Sequence, residues 1–258
     1  MMIDINKPCY LFFDMDNTLL VDNVVPDENA RAVNAARRLG HKIIVNTGRV
    51  ESSCYKAKGI DKITLDGGIF GASNIKYEGK IVDQKFMELD DFYPWMRLAM
   101  ERRHRIGWGG VNALFQLRFN EHPDDFSESE IEEYYNVCRE QNKINPLMKF
   151  TYAAMVEEDA ISTPLNAVRI KTYIDVFGIG LDKGAGIKTF CEKLGVPLSQ
   201  CVSFGDSEND IDAFKITPTN IAMKDSPKEL CDLAFYVAKG DFGVAEGLRL
   251  LFGDRLEL

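Results

Sequence analysis

The chain has 258 residues, of which 45% are hydrophobic, 28% charged and 10% aromatic, and its formal net charge at pH 7 is −9. This is the composition of an ordinary globular protein, which excludes intrinsic disorder, collagen and coiled coils. The negative charge argues against a dedicated nucleic-acid or anionic-membrane surface, because such a surface needs clustered positive charge.

The sequence contains no run typical of a membrane span or a signal peptide. Its early apolar run, Tyr10 to Phe13, ends at Asp14, whereas a span needs about 20 apolar residues and a signal peptide about 7–15 before a cleavage site. The six cysteines are scattered without a C-x-x-C pair, so we expect free thiols in a reduced, cytoplasmic protein. The three histidines lack ligand spacing, which argues against a zinc site.

The first part of the chain alternates apolar strands with helical patterns. We predict strands over 9–13, 42–46 and 62–65, a helix over 27–39, and a short helix that follows Thr47-Gly48-Arg49 and runs through Lys58. Such alternation is typical of a parallel sheet with helices on both faces.

In the middle of the chain, polar residues are more frequent and alternate with apolar ones more often than in the first part. This pattern is typical of a smaller α/β domain whose sheet has one exposed face. The sequence Tyr77-Glu78-Gly79-Lys80 is typical of a hairpin turn, which we predict at 77–80. Ser127 and Glu130 form a capping-box pattern at the start of a helix over 127–141. The other elements predicted here are a helix over 90–105 and strands over 113–119, 148–156 and 167–176.

After about residue 177 the chain again alternates apolar strands with helices, as in its first part. The predicted elements are helices over 184–194, 207–216, 227–234 and 244–252 and strands over 201–204, 220–223 and 235–237. We therefore predict an α/β fold with a Rossmann-like, doubly wound parallel sheet. Its core comprises residues 1–77 and 178–258, and an α/β domain is inserted over 78–177.

Two acidic motifs follow predicted core strands. Asp14 and Asp16 come directly after the first strand, where a carboxylate could attack phosphorus and a second could act as general acid and base. Asp206 and Asp210 follow the strand over 201–204, and converging carboxylates favour a hard cation such as Mg²⁺. Each motif also has a plainer interpretation, as an Asx turn or as acids placed at a helix N-terminus.

Two further motifs have the residues that phosphate binding needs. Thr47 and Gly48 follow a strand and precede a predicted helix, which favours anion binding by a hydroxyl and by backbone N–H groups. Lys183 precedes another helix and could neutralise phosphoryl oxygens. Taken alone, the first motif is better explained as a helix N-cap and the second as a solvated lysine.

Together, in this order, the motifs DMDNT, NTGR, Lys183 and GDSEND resemble those of the haloacid dehalogenase (HAD) superfamily of phosphohydrolases, and closely its Cof-type branch. The resemblance covers nearly the whole core. It implies a HAD-like core, identifies the insertion as a cap domain, and implies a phosphatase that uses Mg²⁺ and an aspartyl-phosphate.

The resemblance also implies a role for each motif residue. Asp14 would be the nucleophile and a metal ligand, and Asp16 the general acid and base, with its backbone carbonyl on the metal. Asp206 would be a metal ligand. The remaining implied roles are phosphate binding by Thr47, Gly48 and Lys183 and support of the metal and phosphate shells by Asn209 and Asp210.

Two departures from the branch and several cap residues bear on the substrate. Asn17 stands where the branch often has glycine, but asparagine tolerates the same left-handed conformation. Asp66-Gly67-Gly68 stands where it often has Asn-Gly-Ala, which we expect near the hinge between core and cap. The candidate substrate contacts in the cap are Trp108, Gly109, Gly110, Arg118, Arg169 and Lys171, each of which has a purely structural alternative.

The expected substrate is a small phosphorylated metabolite, such as a sugar phosphate or a cofactor phosphate, because a cap that closes over the site leaves little room for a polymer. A phosphomutase on the same core is an alternative. A response-regulator-like module that is phosphorylated on aspartate is another, although it needs neither the insertion nor Asp16. A non-catalytic binding protein is disfavoured because both Asp14 and Asp16 are present. The sequence leaves the oligomeric state open.

Overall fold

A computed structural model describes residues 3–119, 125–153, 163–170 and 173–256. Strands and α-helices are numbered separately along the chain. The strands are β1 (Tyr10–Phe13), β2 (Lys42–Thr47), β3 (Gly67–Phe70), β4 (Asn74–Tyr77), β5 (Lys80–Gln84), β6 (Arg105–Gly110), β7 (Leu114–Arg118), β8 (Leu147–Tyr152), β9 (Asn166–Ile170), β10 (Tyr173–Phe177), β11 (Cys201–Gly205), β12 (Thr219–Ala222) and β13 (Tyr236–Val237). The helices are α1 (Asp27–Arg38), α2 (Glu51–Cys54), α3 (Leu89–Glu101), α4 (Glu128–Ile144), α5 (Lys183–Leu194), α6 (Ile211–Ile216), α7 (Lys228–Leu233) and α8 (Gly243–Phe252).

The chain divides into two compact units. The first comprises Met1–Gly48, Cys54–Gln84 and Asp182–Leu258, and the second Arg49–Ser53 and Lys85–Leu181. We expected the core to stop at residue 77 and resume at 178. In the structure the first unit runs on to residue 84, because β5 pairs with β4 in its sheet.

The first unit is built on an eight-stranded sheet in the order β13-β12-β11-β1-β2-β3-β4-β5. The strands from β13 to β3 pair in parallel, and the hairpin β4–β5 adds two antiparallel strands at one edge. Helices α1 and α8 pack together on one side, while α5 packs against β2, β3 and β5 on the other. This is the doubly wound α/β architecture that the sequence predicts.

The direction of winding reverses beside β1. From there the chain proceeds outward through β2 and β3, and after the second unit it proceeds the other way through β11, β12 and β13. Ligands of open α/β sheets bind at such a switch point, beyond the carboxyl ends of the strands.

The second unit is built on a five-stranded antiparallel sheet in the order β7-β6-β8-β10-β9. Residues of α3 and α4 form one apolar cluster with alternate residues of the sheet, including Trp108, Phe150 and Ile174. The predicted capping box at the start of α4 is confirmed, because Ser127 and Glu130 cap each other reciprocally. The predicted hairpin turn at 77–80 in the first unit is also confirmed.

Several predicted elements are wrong. Residues 62–65 form no strand, and the third parallel strand is β3. The helix predicted over 90–105 ends at Glu101, since Arg105 already begins β6. The strand predicted over 167–176 is two antiparallel strands, β9 and β10. Residues 154–156 of the strand predicted over 148–156 lie outside the described residues.

None of the helices within the described ranges has both the length and the apolar character needed to cross a bilayer.

Candidate functional site

Two acidic residues meet at the switch point of the large sheet. Phe13 of β1 lies beside Phe204 of β11 in parallel register, and the backbone N–H of Asp14 donates to the carbonyl of Phe204 at 3.0 Å. Asp206 follows the last residue of β11. The parallel pairing therefore brings together two acids that are nearly 200 positions apart in the sequence.

Lys183 lies between two carboxylates of this cluster. Its Nζ donates to Oδ1 of Asp14 and to Oδ1 of Asp210, each at 2.6 Å, and all three side chains are buried. Burial raises the pKa of Asp14 well above its usual value, although the Lys183 charge opposes the shift. Burial alone would lower the pKa of Lys183, but the two carboxylates raise it above its usual value. The ammonium therefore stays charged where it can bind an anionic group.

The Asp206 carboxylate is held by the loop that follows β1. Oδ1 accepts a hydrogen bond from Oγ1 of Thr18 at 3.2 Å, and Oδ2 accepts one from Nδ2 of Asn17 at 3.3 Å. Burial and the neighbouring charge of Asp210 raise the pKa of Asp206 to about 6, while Lys183 and these hydrogen bonds oppose the shift.

Asp210 organises the acidic loop after β11. Its Oδ2 accepts from the backbone N–H groups of Asp206 at 3.0 Å and Ser207 at 3.2 Å. A Cβ at position 205 would lie 2.4 Å from Cγ of Asp210, so Gly205 is the residue that lets the loop turn this tightly.

The three carboxylates fit a divalent cation. Asp14, Asp206 and Asp210 each offer one oxygen, and these oxygens all lie within 4.8 Å of one another. Three carboxylates against the single charge of Lys183 leave an excess of negative charge in a buried place, which a hard cation with oxygen ligands would relieve. The Asp16 side chain is not part of this group of three.

Asp16 and Asn17 lie in the turn that follows β1. The turn is closed by hydrogen bonds from the N–H of Leu19 to the Asp14 carbonyl at 3.2 Å and from the N–H of Leu20 to the Met15 carbonyl at 2.8 Å. Asn17 has φ 55°, so the left-handed conformation expected of it is confirmed. Asp16 is half-buried at the same edge of the sheet.

The predicted phosphate-binding residues also lie at this edge. Thr47 ends β2, the neighbour of β1, and is buried. Gly48 follows it, and the short helix predicted after Arg49 is α2, which begins at Glu51 but ends at Cys54 rather than at residue 58. Oδ1 of Asn209 accepts from Oγ of Ser207 at 3.1 Å, within the loop that Asp210 organises.

The Asp66 loop lies elsewhere in the first unit. Asp66 precedes β3, near the start of β2 and thus at the edge opposite Thr47. Its Oδ2 accepts from the backbone N–H of Ile43 at 2.9 Å, and Arg37 pairs with its Oδ1 at 2.9 Å. The hinge position expected for this loop is wrong, because Asp66 lies at the edge of the sheet opposite Gln84, the residue after which the chain leaves the unit at the end of β5.

The candidate substrate contacts of the second unit have different surroundings. Trp108 is fully buried in the apolar cluster and donates Nε1–H to the Asn145 carbonyl at 3.1 Å. It therefore has the purely structural role that was the alternative to substrate contact. A Cβ at Gly109 would lie 2.8 Å from Cγ of Lys149. Arg118 on β7 is exposed and Arg169 on β9 is half-buried. Gly110 ends β6, and Lys171 lies outside the described residues.

Sequence reasoning missed two contributors to the cluster. Thr18 was assigned no role, yet it donates to Asp206. Asn46 was assigned only as the end of a strand, yet its Nδ2 donates to the backbone carbonyl of Lys183 at 3.2 Å. The available signal was a polar residue among the buried positions of β2.

Comparison with known proteins gives a family match and several relatives. The sequence model of the haloacid dehalogenase-like hydrolase family matches residues 11–246. The chain is 26% identical over 250 residues to the 5-amino-6-(5-phospho-D-ribitylamino)uracil phosphatase of Bacillus subtilis, covering 92% of each chain. It is 21% identical over 247 residues to the phosphoglycolate phosphatase of Methanosarcina acetivorans, covering 90% of this chain and 91% of that protein.

Solved structures show the same fold. A phosphatase of the HAD superfamily from Bacteroides thetaiotaomicron superposes with a TM-score of 0.77 at 20% identity, covering 95% of this chain and 96% of the other. A sugar phosphatase of HAD subclass IIB superposes with a TM-score of 0.74 at 19% identity, covering 94% of this chain and 98% of the other.

Proposed function

The chain belongs to the haloacid dehalogenase-like hydrolases and is a phosphatase of that superfamily, as its relatives are; on this premise we propose that it is a Mg²⁺-dependent phosphomonoester hydrolase. The proposed substrate is a small phosphorylated metabolite, and the proposed intermediate is an aspartyl-phosphate on Asp14.

One observation carries the proposal. A buried ammonium, that of Lys183, lies 2.6 Å from each of two buried carboxylates at the switch point of the sheet, and a third carboxylate completes a set of oxygens. Such a cluster is costly to folding, because it holds two buried acids and a third, half-buried one against a single base. In a phosphoryl-transfer site each of these groups has a role, because such a site needs a nucleophile, metal ligands and a positive charge near the phosphoryl oxygens.

In the first step, a carboxylate oxygen of Asp14 attacks phosphorus and the bond from phosphorus to the leaving oxygen breaks. Asp16 gives its proton to that oxygen, so the product leaves as an alcohol. Lys183 orients Asp14 and screens the charge on the transferring oxygens, and Thr47, Gly48 and Asn209 hold the phosphoryl group.

In the second step, Asp16, now a carboxylate, removes a proton from water. The water oxygen attacks phosphorus, the bond to Asp14 breaks, and inorganic phosphate is released. We assign Asp14, Asp206, Asp210 and the backbone carbonyl of Asp16 to hold Mg²⁺. When bound, Mg²⁺ supplies positive charge that offsets the acids and stabilises the phosphoryl oxygens.

A sugar phosphate or a cofactor phosphate is the proposed substrate class. The names of the relatives support this choice, since one acts on a phosphoribitylamino-uracil and one structural neighbour is a sugar phosphatase. We also propose a cytoplasmic location, because all six cysteines are unpaired thiols, as in a reducing compartment.

A phosphate-release assay tests the proposal. Purified protein should hydrolyse p-nitrophenyl phosphate with Mg²⁺ and stop when EDTA is added. Asp14→Asn is nearly isosteric and should abolish turnover without loss of the fold. Full activity of that variant would contradict the mechanism. Separately, assaying the wild type against a panel of phosphorylated metabolites would identify its preferred substrate.

A further inference from the structure

The first turn of α5, from which Lys183 projects, is packed unusually close to its neighbours. Asp182 caps it, because its Oδ1 accepts from the N–H of Ala185 at 2.7 Å. A Cβ at Gly184 would lie 2.5 Å from the Asp212 carbonyl oxygen, and one at Gly186 would lie 2.8 Å from Cγ2 of Ile69. The backbone around Lys183 is therefore fixed by contacts with α6 and β3.

Asn46 adds the polar contact of this turn with β2. Its Nδ2 donates to the Lys183 carbonyl at 3.2 Å, across 137 positions of sequence. Side chains two apart on a strand share a face, and Ile44 lies in the apolar cluster that includes Ile187 of α5. Asn46 therefore lies on the face of β2 that α5 covers, next to Thr47.

The other half of the Asn46 amide has no partner among the residues that the structure describes. The side chain is only 3% exposed, and its Oδ1 accepts no hydrogen bond from any described residue. A buried acceptor without a partner is unfavourable, whereas leucine, of similar size, would leave no such atom. Stability alone therefore does not explain an asparagine at this position.

We infer that Asn46 is a positioning residue for Lys183. By holding the carbonyl of the first residue of α5, it fixes the backbone from which the ammonium reaches Asp14 and Asp210. The inference rests on the proposed function, in which Lys183 stabilises the transition state. A displacement of the lysine by about 1 Å would lengthen both of its short contacts, and misplacement of that size can slow a reaction by about 100-fold.

Asn46→Leu tests the inference. With p-nitrophenyl phosphate and saturating Mg²⁺, we expect kcat to fall at least about tenfold and KM to change less, because Lys183 acts mainly in the transition state. The melting temperature should stay equal or rise, because the unpartnered oxygen is gone. A merely structural asparagine would give the reverse, a lower melting temperature with unchanged kcat per folded molecule.

Thr219→Val is the matched control. Thr219 is a buried residue of β12 in the same sheet, and its Oγ1 also has no partner among the described residues. This variant likewise removes an unpartnered oxygen but touches no contact of Lys183, so its kcat should equal that of the wild type. Asn46→Ala removes the same hydrogen bond with a smaller side chain, and it must show the same loss of kcat.

The outcomes separate this inference from the proposed function. An inactive wild type would refute the proposed function. An active wild type with unchanged kcat in Asn46→Leu and Asn46→Ala would overturn the positioning role alone. Failure of Asn46→Leu to fold would also overturn it, because it would show that the amide serves stability.

Discussion

The ammonium of Lys183 donates a 2.6 Å hydrogen bond to Oδ1 of Asp14, across 169 positions of sequence. The bond joins the end of β1 to the start of α5, the two points where the chain enters and re-enters the site. It requires both elements to be placed to within a fraction of an ångström, since charge-assisted hydrogen bonds lose strength quickly with distance.

Lys183→Met keeps the length of the side chain but removes its charge. We expect kcat to fall by at least about 100-fold, because an electrostatic stabiliser of the transition state is lost. The metal-free variant should also lose about 3 kcal/mol of unfolding free energy, since a buried pair loses one partner. Lys188→Met is the control: Lys188 lies on the same helix with a side chain 65% exposed, and its removal should change neither quantity. Near-normal turnover of Lys183→Met would contradict the assignment.

Mg²⁺ should stabilise the protein, because it relieves repulsion among Asp14, Asp206 and Asp210. At one hundred times the dissociation constant the gain is about 3 kcal/mol, measured as a rise in melting temperature. Asp206→Asn should be more stable than the wild type without metal and should gain less from Mg²⁺. Asp212→Asn, which changes an exposed acid on α6, should behave like the wild type. An equal Mg²⁺ effect in both variants would exclude Asp206 as a ligand.

Asn17→Gly tests the amide that contacts Asp206. Glycine fits the left-handed φ of 55° at this position, so stability should change by only a few tenths of a kcal/mol. Loss of the 3.3 Å hydrogen bond to Oδ2 should weaken Mg²⁺ binding several-fold, as measured by titration calorimetry, because residues that orient a ligand tune its affinity. Asn23→Gly, at an exposed residue with φ 63°, should leave the affinity unchanged. If both variants bind Mg²⁺ equally, the amide has no such role.

His41 should make the stability of the protein depend on pH. Its Nδ1 accepts the N–H of Cys9 at 3.1 Å and its ring stacks on Phe252. Burial, aided by the charge of Arg255, lowers the pKa of His41 from 6.5 to about 4. The unfolded chain therefore takes up a proton first, so stability is lost as the pH falls from about 6.5 towards 4.

The measurement is urea unfolding across this pH range for the wild type and His41→Asn. Asparagine keeps an acceptor near the position of Nδ1 but does not titrate. The wild type should lose about 2 kcal/mol more than the variant between pH 7 and pH 4.5. Parallel pH profiles would show that His41 does not contribute.

The site was predictable from the sequence to the extent that it follows from sheet topology. Asp14, Thr47 and Asp206 each come at the end of an apolar run, and parallel strands bring such ends to one edge. The third strand was not predictable, because residues 67–70 begin with two glycines and look unlike a strand. Position 67 requires glycine, since a Cβ there would lie 2.5 Å from the carbonyl oxygen of Lys76 on β4. Because Lys76 is nine positions further along the chain, the residues around position 67 give no sign of this contact.

Contacts that depend on tertiary packing were also not predictable from the sequence. The bond from Asn46 to Lys183 depends on how α5 crosses β2, which no spacing encodes. The charged run around Arg105 has helical character, but β6 begins there because its alternate residues, Ile106 and Trp108, fill the apolar cluster of the second unit. Burial of those side chains overrides the local propensity.

Trapping the covalent intermediate tests the mechanism most directly. In Asp16→Asn the first step should still proceed with p-nitrophenyl phosphate, because p-nitrophenol leaves without a general acid, while the second step lacks its base. We predict a burst of one p-nitrophenol per enzyme, followed by slow turnover, with a phosphoryl group found by mass spectrometry on the peptide that contains Asp14. Phosphate release without a burst, or a phosphoryl group on any other residue, would contradict the account.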